Sequence, residues 1–242
     1  MLAFLDAFAL AFVAAFLLGS IPFGLIVSKL FFNTDIREHG SGNIGTTNAI
    51  RTIGKVGGYA VFVLDFGKGL LSGFIALWVG TAFLGLRGYD AGTGGLVGML
   101  APFGLAPLGD AALLTVQMAE TMLAVSFLGC TLGHIFSPWL KFKGGKGVAT
   151  AVGCVFVAYG VLGAVILLAL FAVIVALTRY VSVGSMIAGG ACPFFSLLFY
   201  WGNWPAIICC FIVGANLVLA HHGNMKRLMA GTESRVGSKK KA

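Results

Sequence analysis

Residues 2–28 read LAFLDAFALAFVAAFLLGSIPFGLIVS and carry a single charged side chain, Asp6. A helix needs about 20 apolar residues to cross the hydrocarbon core of a bilayer, so this stretch decides which solvent the chain is built for. The first basic residue is Lys29. With no positive region ahead of the apolar run, the stretch reads as an uncleaved first helix and not as a signal peptide. Working outward from this first block (about 3–28), further apolar blocks fall at about 57–86, 118–136, 148–159, 161–178, 183–200 and 205–220. The block at 148–159 is short and breaks at Gly160, which predicts a tilted or half-length helix. Hydrophobic residues make up 59% of the chain and the mean hydropathy is +0.99, far from the mixture of a soluble domain. The expected fold class is an all-α integral membrane protein.

Charge placement orients it. Polar loops lie at 29–56, 137–147 and 221–242, and a glycine-rich insert lies at 87–117. Fourteen of the sixteen Lys and Arg residues fall in the three loops or at Arg179. Excess Lys and Arg mark the cytoplasmic side, so the three loops are expected inside and Arg87 outside. About seven transmembrane helices satisfy this, with the N-terminus outside and the C-terminus cytoplasmic. Merging 148–178 into one helix gives six and throws the last loop outside. The insert carries Gly92, Gly94, Gly95, Gly98, Pro102 and Pro107, too many helix breakers for a crossing, and is expected to re-enter or lie on the outer face. No internal repeat is visible, and residues 1–242 read as one polytopic domain. The tail Lys239-Lys240-Lys241 either attracts anionic lipid or is a solvated end. Cys130, Cys154, Cys192, Cys209 and Cys210 all lie in apolar stretches without Cys-x-x-Cys spacing, as buried small hydrophobes do.

Three polar constellations share the expected cytoplasmic side. The first is SGNIGTTNAIR (41–51), an inventory of hydroxyls, amides and glycines suited to a polyol phosphate. Arg51 can grip phosphate with a forked pair of hydrogen bonds; Ser41 and Asn48 can bind hydroxyl groups, or Ser41 can cap a helix. The second is KFKGGKGVAT (141–150), where lysines supply point charges and glycines let backbone N–H groups approach an anion. Gly147 follows Lys146 where a Walker A loop needs Ser or Thr, so ATP hydrolysis is not implied. The third is HHGNMKRLMAGTE (221–233). His221, Asn224 and Leu228 fall on one helical face, and a histidine beside phosphate can act as base or bind substrate. Asp65 and Lys68 lie three residues apart inside an apolar block, and a structural ion pair near the active cleft is favoured over direct catalysis. His39 and His134 acquire no role.

The three constellations, with HIFSPWLKFKGGKGVAT spanning 134–150, closely resemble the three motifs of the PlsY-type bacterial glycerol-3-phosphate acyltransferases. The resemblance covers the chain except 87–117. It implies an inner-membrane enzyme with a cytoplasmic active site that moves an acyl group from acyl phosphate to the 1-hydroxyl of glycerol 3-phosphate. The products would be lysophosphatidic acid and inorganic phosphate. Carried over residue by residue, it implies roles for Ser41, Arg51, Lys146, His221 and Asn224 in catalysis. It implies substrate or phosphate binding by Asn43, Gly45, Thr47, Asn48, Lys143, Gly144, Gly145, Gly147 and Glu233. Thr46, His222 and Met225 depart from the family pattern, where Ala, Arg and Ile are usual, and so does the insert. The partners implied are the two substrates, the bilayer and an acyl-phosphate-forming enzyme, without nucleic acid.

The residues agree with such chemistry. Acyl phosphate carries its own good leaving group, so no covalent nucleophile is needed; no GxSxG elbow and no His-x₄-Asp is present. No metal-ligand spacing appears among the His, Cys, Asp and Glu residues, and no cofactor is expected. The proton acceptor is either His221 or a phosphate oxygen of the donor. The competing class is a transporter for a phosphorylated solute, which the helix number and the Asp65–Lys68 pair would suit. The gathering of polar motifs on one face and the lack of an inverted repeat oppose it.

Overall fold

Two helix breaks, at Ile21–Pro22 and at Gly54, set where the polar end of the molecule is built. The structure, a computed structural model, describes residues 2–86 and 109–237. Helix α1 (Leu2–Ser20) stops where Pro22 cannot donate a backbone hydrogen bond, and α2 (Phe23–Phe32) restarts beyond it. The carbonyls freed at the break are taken up from elsewhere. Ser20 O accepts from Ser137 Oγ at 2.7 Å, and Ile21 O accepts from Lys68 Nζ at 2.9 Å. A break inside a bilayer survives only when neighbours satisfy its backbone in this way.

Helix α3 (Thr46–Leu84) is two helices across a kink at Gly54, whose φ of 81° lies in the left-handed region that favours glycine. The following helices are α4 (Asp110–Ile135), α5 (Val148–Ala158), α6 (Gly160–Thr178), α7 (Val181–Phe199), α8 (Trp204–Leu219) and α9 (His222–Met229). Thus α4 begins within the stretch expected to be an insert, and residues 110–117 belong to a helix. The remainder of that insert, 87–108, lies outside the described residues, as do Arg87 and Lys239–Lys241. Polar loop 29–56 likewise contains helix at both ends, so Arg51 and Lys55 are helical.

Among the described residues, Leu5–Phe32, Thr46–Leu84, Ala112–Leu140, Gly160–Thr178 and Val181–Phe199 are long and apolar enough to cross a membrane. The pair α8 and α9, bent by 45°, makes a sixth candidate. The 11 residues of α5 span only about 16 Å at 1.5 Å per residue, about half a hydrocarbon core. The short block ends at Gly160, with φ 68°, where the sequence places its break. Tyr200 OH meets Ala158 O there, from the α7–α8 turn.

Packing is tightest where glycines face backbones. A Cβ on Gly69 would overlap Thr150 O, and one on Gly153 would overlap Phe66 O, which locks α3 against α5. Gly19 and Gly133 do the same between α1 and α4. Such close backbone approach drives helix association in membranes. Trp78, Trp201 and Trp204 are exposed near the ends of α3, α7 and α8, while Trp139, Phe142 and Phe31 are exposed by the polar loops. Amphipathic indole rings at both ends, Trp78, Trp201 and Trp204 at one and Trp139 at the other, fit two bilayer interfaces.

Candidate active site

All three polar motifs line one cavity of ≈ 1070 Å³, together with the start of α7. Its mouth is polar, with Ser41, Arg51, Lys146, His221, Asn224 and Arg227 among its walls. Its other end is apolar, bounded by side chains of α5, α6 and α7 such as Val155, Leu167, Leu168, Phe171 and Ala188. A smaller cavity of ≈ 460 Å³ adjoins it and shares Ser41, Asn43, Lys146, Asn224 and Arg227 with it.

The first motif is shaped by Asn48. This side chain, 2% exposed, accepts from Ser41 N–H at 2.8 Å and donates to the carbonyls of Ile36, His39 and Asn43. Its hydrogen-bonding capacity is spent tying the 36–43 loop to the start of α3. Asn43 Oδ1 accepts from Gly45 N–H at 2.9 Å, and Gly45, not Ser41, is the N-cap of α3. Ser41 is exposed at the junction of both cavities, and Thr47 and Arg51 face the larger one.

The lysine–glycine loop leaves α4 through a short turn at Pro138–Leu140, then passes Lys141 and Phe142 at positive φ (53° and 61°). Gly144 N–H donates to Ile135 O and Gly145 N–H to His134 O, both at 3.0 Å. These two N–H groups are therefore engaged within the loop. A Cβ on Gly145 would overlap His134 Nε2, so this glycine admits the close approach of the ring. The anion-facing backbone donors are those at the start of α5, which follows Gly147 at φ 77°. The first N–H groups of a helix have no partner within it and carry the positive end of its dipole. Thr46 and Thr47 of α3, Val148 and Ala149 of α5, and Val181 and Ser182 of α7 all line the cavity. Three helix N-termini therefore converge on it, an arrangement suited to anions. Lys143 is exposed and lines only the smaller cavity.

In the third motif, Glu233 accepts from Asn224 Nδ2 and from Arg227 Nε, both at 2.7 Å. Asn224 Oδ1 and Thr46 Oγ1 are buried without a hydrogen-bond partner among the described residues, and both residues line the cavity. His221 Nδ1 lies 2.8 Å from Leu217 O. A carbonyl only accepts, so Nδ1 carries the proton and Nε2 of the neutral ring is an acceptor. Burial, with the Lys146 charge adding to it against the Leu217 bond, lowers His221 to about 4, so the ring is neutral at pH 7. Burial, followed by the charge of Arg227, brings Lys146 down to about 8, with Arg51 acting in the same direction. Lys146, Arg227 and Arg51 therefore gather at one mouth with a positive surplus.

Sequence reading assigns no role to His134, and it leaves Thr46 and Arg227 without one. The structure puts all three on the cavity wall. His134 Nδ1 lies 3.3 Å from Thr150 Oγ1 and 3.6 Å from Asp65 Oδ1, and Asp65 pairs with Lys68 at 2.9 Å. Asp65 also reaches the cavity, which agrees with the expected ion pair beside the cleft. A legible signal existed for Arg227 in the basic–acidic pairing with Glu233 inside one motif. His134 stood at the head of the 134–150 motif without a role, because only the fold turns it under the glycines.

The fold and cavity define an integral membrane protein built to hold an amphiphilic anion. The chain belongs to the glycerol-3-phosphate acyltransferase family, whose model matches residues 9–231. It is 37% identical over 222 residues to a glycerol-3-phosphate acyltransferase of Trichlorobacter lovleyi, covering 91% of this chain and 93% of that protein. Against the enzyme of the same name from Thermosynechococcus vestitus it is 36% identical over 224 residues, covering 93% and 92%. The crystal structure of PlsY (YgiH), an integral membrane glycerol 3-phosphate acyltransferase in its glycerol 3-phosphate form, superposes with a TM-score of 0.69. That match has 30% identity and covers 95% of this chain and 96% of that one. This chain is an integral membrane glycerol-3-phosphate acyltransferase.

Proposed function

We propose that the enzyme transfers a fatty acyl group from acyl phosphate to the 1-hydroxyl of glycerol 3-phosphate, releasing lysophosphatidic acid and inorganic phosphate. The observation that carries this reading is the single cavity with a cationic mouth and an apolar end. Acyl phosphate has the same two-part chemistry. Its chain fits between α5, α6 and α7, and its phosphate meets Lys146, Arg51 and the helix N-termini. Ser41, Asn224 and Arg227 line both this cavity and the adjoining smaller one, so a second phosphorylated substrate has room at the same mouth beside Lys146. The whole domain, residues 1–242, lies in the bacterial inner membrane with its N-terminus outside. The mouth and the C-terminus face the cytoplasm, where excess Lys and Arg belong, and an enzyme that forms acyl phosphate supplies the donor.

The reaction needs no covalent intermediate. The glycerol hydroxyl oxygen attacks the acyl carbonyl carbon, the ester bond forms, and the carbon–oxygen bond to phosphate breaks. Lys146, Arg51 and the first N–H groups of α5 hold the phosphates and the charge that develops on the carbonyl oxygen. His221 Nε2 accepts a hydrogen bond from the attacking hydroxyl and orients it. A ring titrating near 4 is a poor proton sink at pH 7, whereas the donor's phosphate gains negative charge, and so basicity, as its bond to the carbonyl carbon breaks. The proton therefore passes to the departing phosphate. Asn224 and Ser41 bind the acceptor's polar groups, with Glu233 fixing Asn224 and Arg227. Asn43, Gly45, Thr47 and Asn48 shape the first loop around it; Lys143, Gly144, Gly145 and Gly147 shape the second.

The test is phosphate release from palmitoyl phosphate by purified protein in lipid, with and without glycerol 3-phosphate. Release that requires glycerol 3-phosphate and matches lysophosphatidate one for one is the expected result. Product formed from another acyl donor, and none from acyl phosphate, would overturn the donor assignment.

A further inference from the structure

The match to the family model ends at residue 231, and residues 232–237 beyond it fold back over the cavity mouth. Val236 N–H donates to Arg179 O at 2.7 Å, and Arg179 Nη2 donates to Val236 O at 2.9 Å. Arg235 Nε donates to Tyr180 OH at 2.9 Å, and its guanidinium lies 5.2 Å from the centre of the Tyr180 ring. The anchor is itself fixed: Arg179 ends α6 at φ 61° and Tyr180 is the N-cap of α7. Ser234 and Arg235 line the large cavity.

We propose that Glu233–Gly237 is a strap, pinned on Arg179 and Tyr180, that holds the Arg235 cation at the cavity mouth and determines affinity for the phosphorylated polyol acceptor. Arg235 is the specificity-determining residue, and Arg179 and Tyr180 are positioning residues. Ser234 and Arg235 share the cavity wall with Arg51, Lys146, Asn224 and Arg227, the polar groups of its mouth. An acyl donor gains most of its binding from burying that chain. A polyol phosphate has no apolar anchor, so its affinity comes from charge-assisted hydrogen bonds at the mouth. Loosening the strap therefore falls on the acceptor and spares the donor. This inference rests on the acyl-transfer reading only for its kinetic measurement.

The experiment compares wild type with Arg235→Gln and Tyr180→Phe in lipid. Tyr180→Phe keeps the ring and removes only the hydroxyl that accepts from Arg235. Arg235→Gln should raise KM for glycerol 3-phosphate about tenfold and Tyr180→Phe about threefold. KM for palmitoyl phosphate and kcat should stay within about twofold, with the melting temperature unchanged. Calorimetric titration with glycerol 3-phosphate alone should show the same loss of affinity. That arm decides the strap even if wild type proves to use another acyl donor. Unchanged glycerol 3-phosphate affinity in both variants, or equal weakening of both substrates, would overturn the proposal.

Discussion

Two groups of charges lie on the cavity and are handled in opposite ways. Asp65 and Lys68, beside His134, are nearly inaccessible (1%, 3% and 4% exposed) and answer one another. Lys68 spends a further bond on Ile21 O and so holds the α1–α2 break. At the mouth, Lys146, Arg51 and Arg227 face Glu233 with a surplus of positive charge, and Asn224 Oδ1 and Thr46 Oγ1 have no hydrogen-bond partner among the described residues. The lesson is that burial alone does not mark chemistry in a membrane. Charges that serve the fold are paired within it, and charges left over at an open cavity are kept for a ligand.

The comparison breaks most sharply at Lys146. Lys146→Ala removes a cation whose side chain makes no hydrogen bond or ion pair among the described residues, so turnover should fall by about 10³-fold, in the range of losing a transition-state charge contact. Its melting temperature should stay within a few degrees of wild type. If Lys146→Ala unfolded the protein, the mouth would be structural after all. Lys68→Met should behave in reverse. It leaves Asp65 as an uncompensated buried charge at a cost of about 3–5 kcal/mol, seen as a large fall in melting temperature in detergent. Asp65→Asn combined with Lys68→Met should recover much of that loss. No recovery would mean that Lys68 matters through Ile21 O and not through Asp65.

A smaller effect sharpens the line between the two groups, because Gly145 sits on it. Its N–H is spent on His134 O, and an added Cβ would overlap His134 Nε2. Gly145→Ala must therefore push the ring toward Asp65 and shift Lys146 beside it. Activity should fall about tenfold with a modest loss of stability, as for a misplacement near the chemistry. Wild-type kinetics in Gly145→Ala would show that the loop and the buried network are uncoupled.

Most of the architecture could be read from residues alone, since every apolar block is helical, the first of them in two pieces, and the three motifs do meet at one end. The blocks were legible because a bilayer imposes one rule on long segments. Boundaries were not: Pro22 breaks a helix whose apolar pattern runs on, α3 starts at Thr46 inside a polar loop and kinks at Gly54, and α4 starts at Asp110 inside a glycine-rich stretch. In the site, cations and amides were legible as phosphate chemistry, but the division of labour was not. Asn48 has the composition of a ligand-binding amide and turns out to be saturated by Ile36, His39, Asn43 and Ser41. His134 opens the 134–150 motif but acquires no role from it, since its meaning depends on α3 bringing Asp65 beside it.

The mildest test uses pH. Lys146 is brought down to about 8 by burial first and then by Arg227, so it is largely protonated at pH 7 and loses its charge as pH rises through that value. His221, lowered to about 4, stays neutral throughout and adds no limb between pH 5 and 9. In the free enzyme, kcat/KM should therefore fall on the alkaline side with an apparent pKa near 8. Bound phosphate stabilises the ammonium, so the corresponding limb in kcat should lie at higher pH. Lys146→Arg, which cannot deprotonate in this range, should remove the limb whatever activity it retains. A limb that persists in Lys146→Arg would assign the titration to another group and return the mouth's charge balance to Arg51 and Arg227.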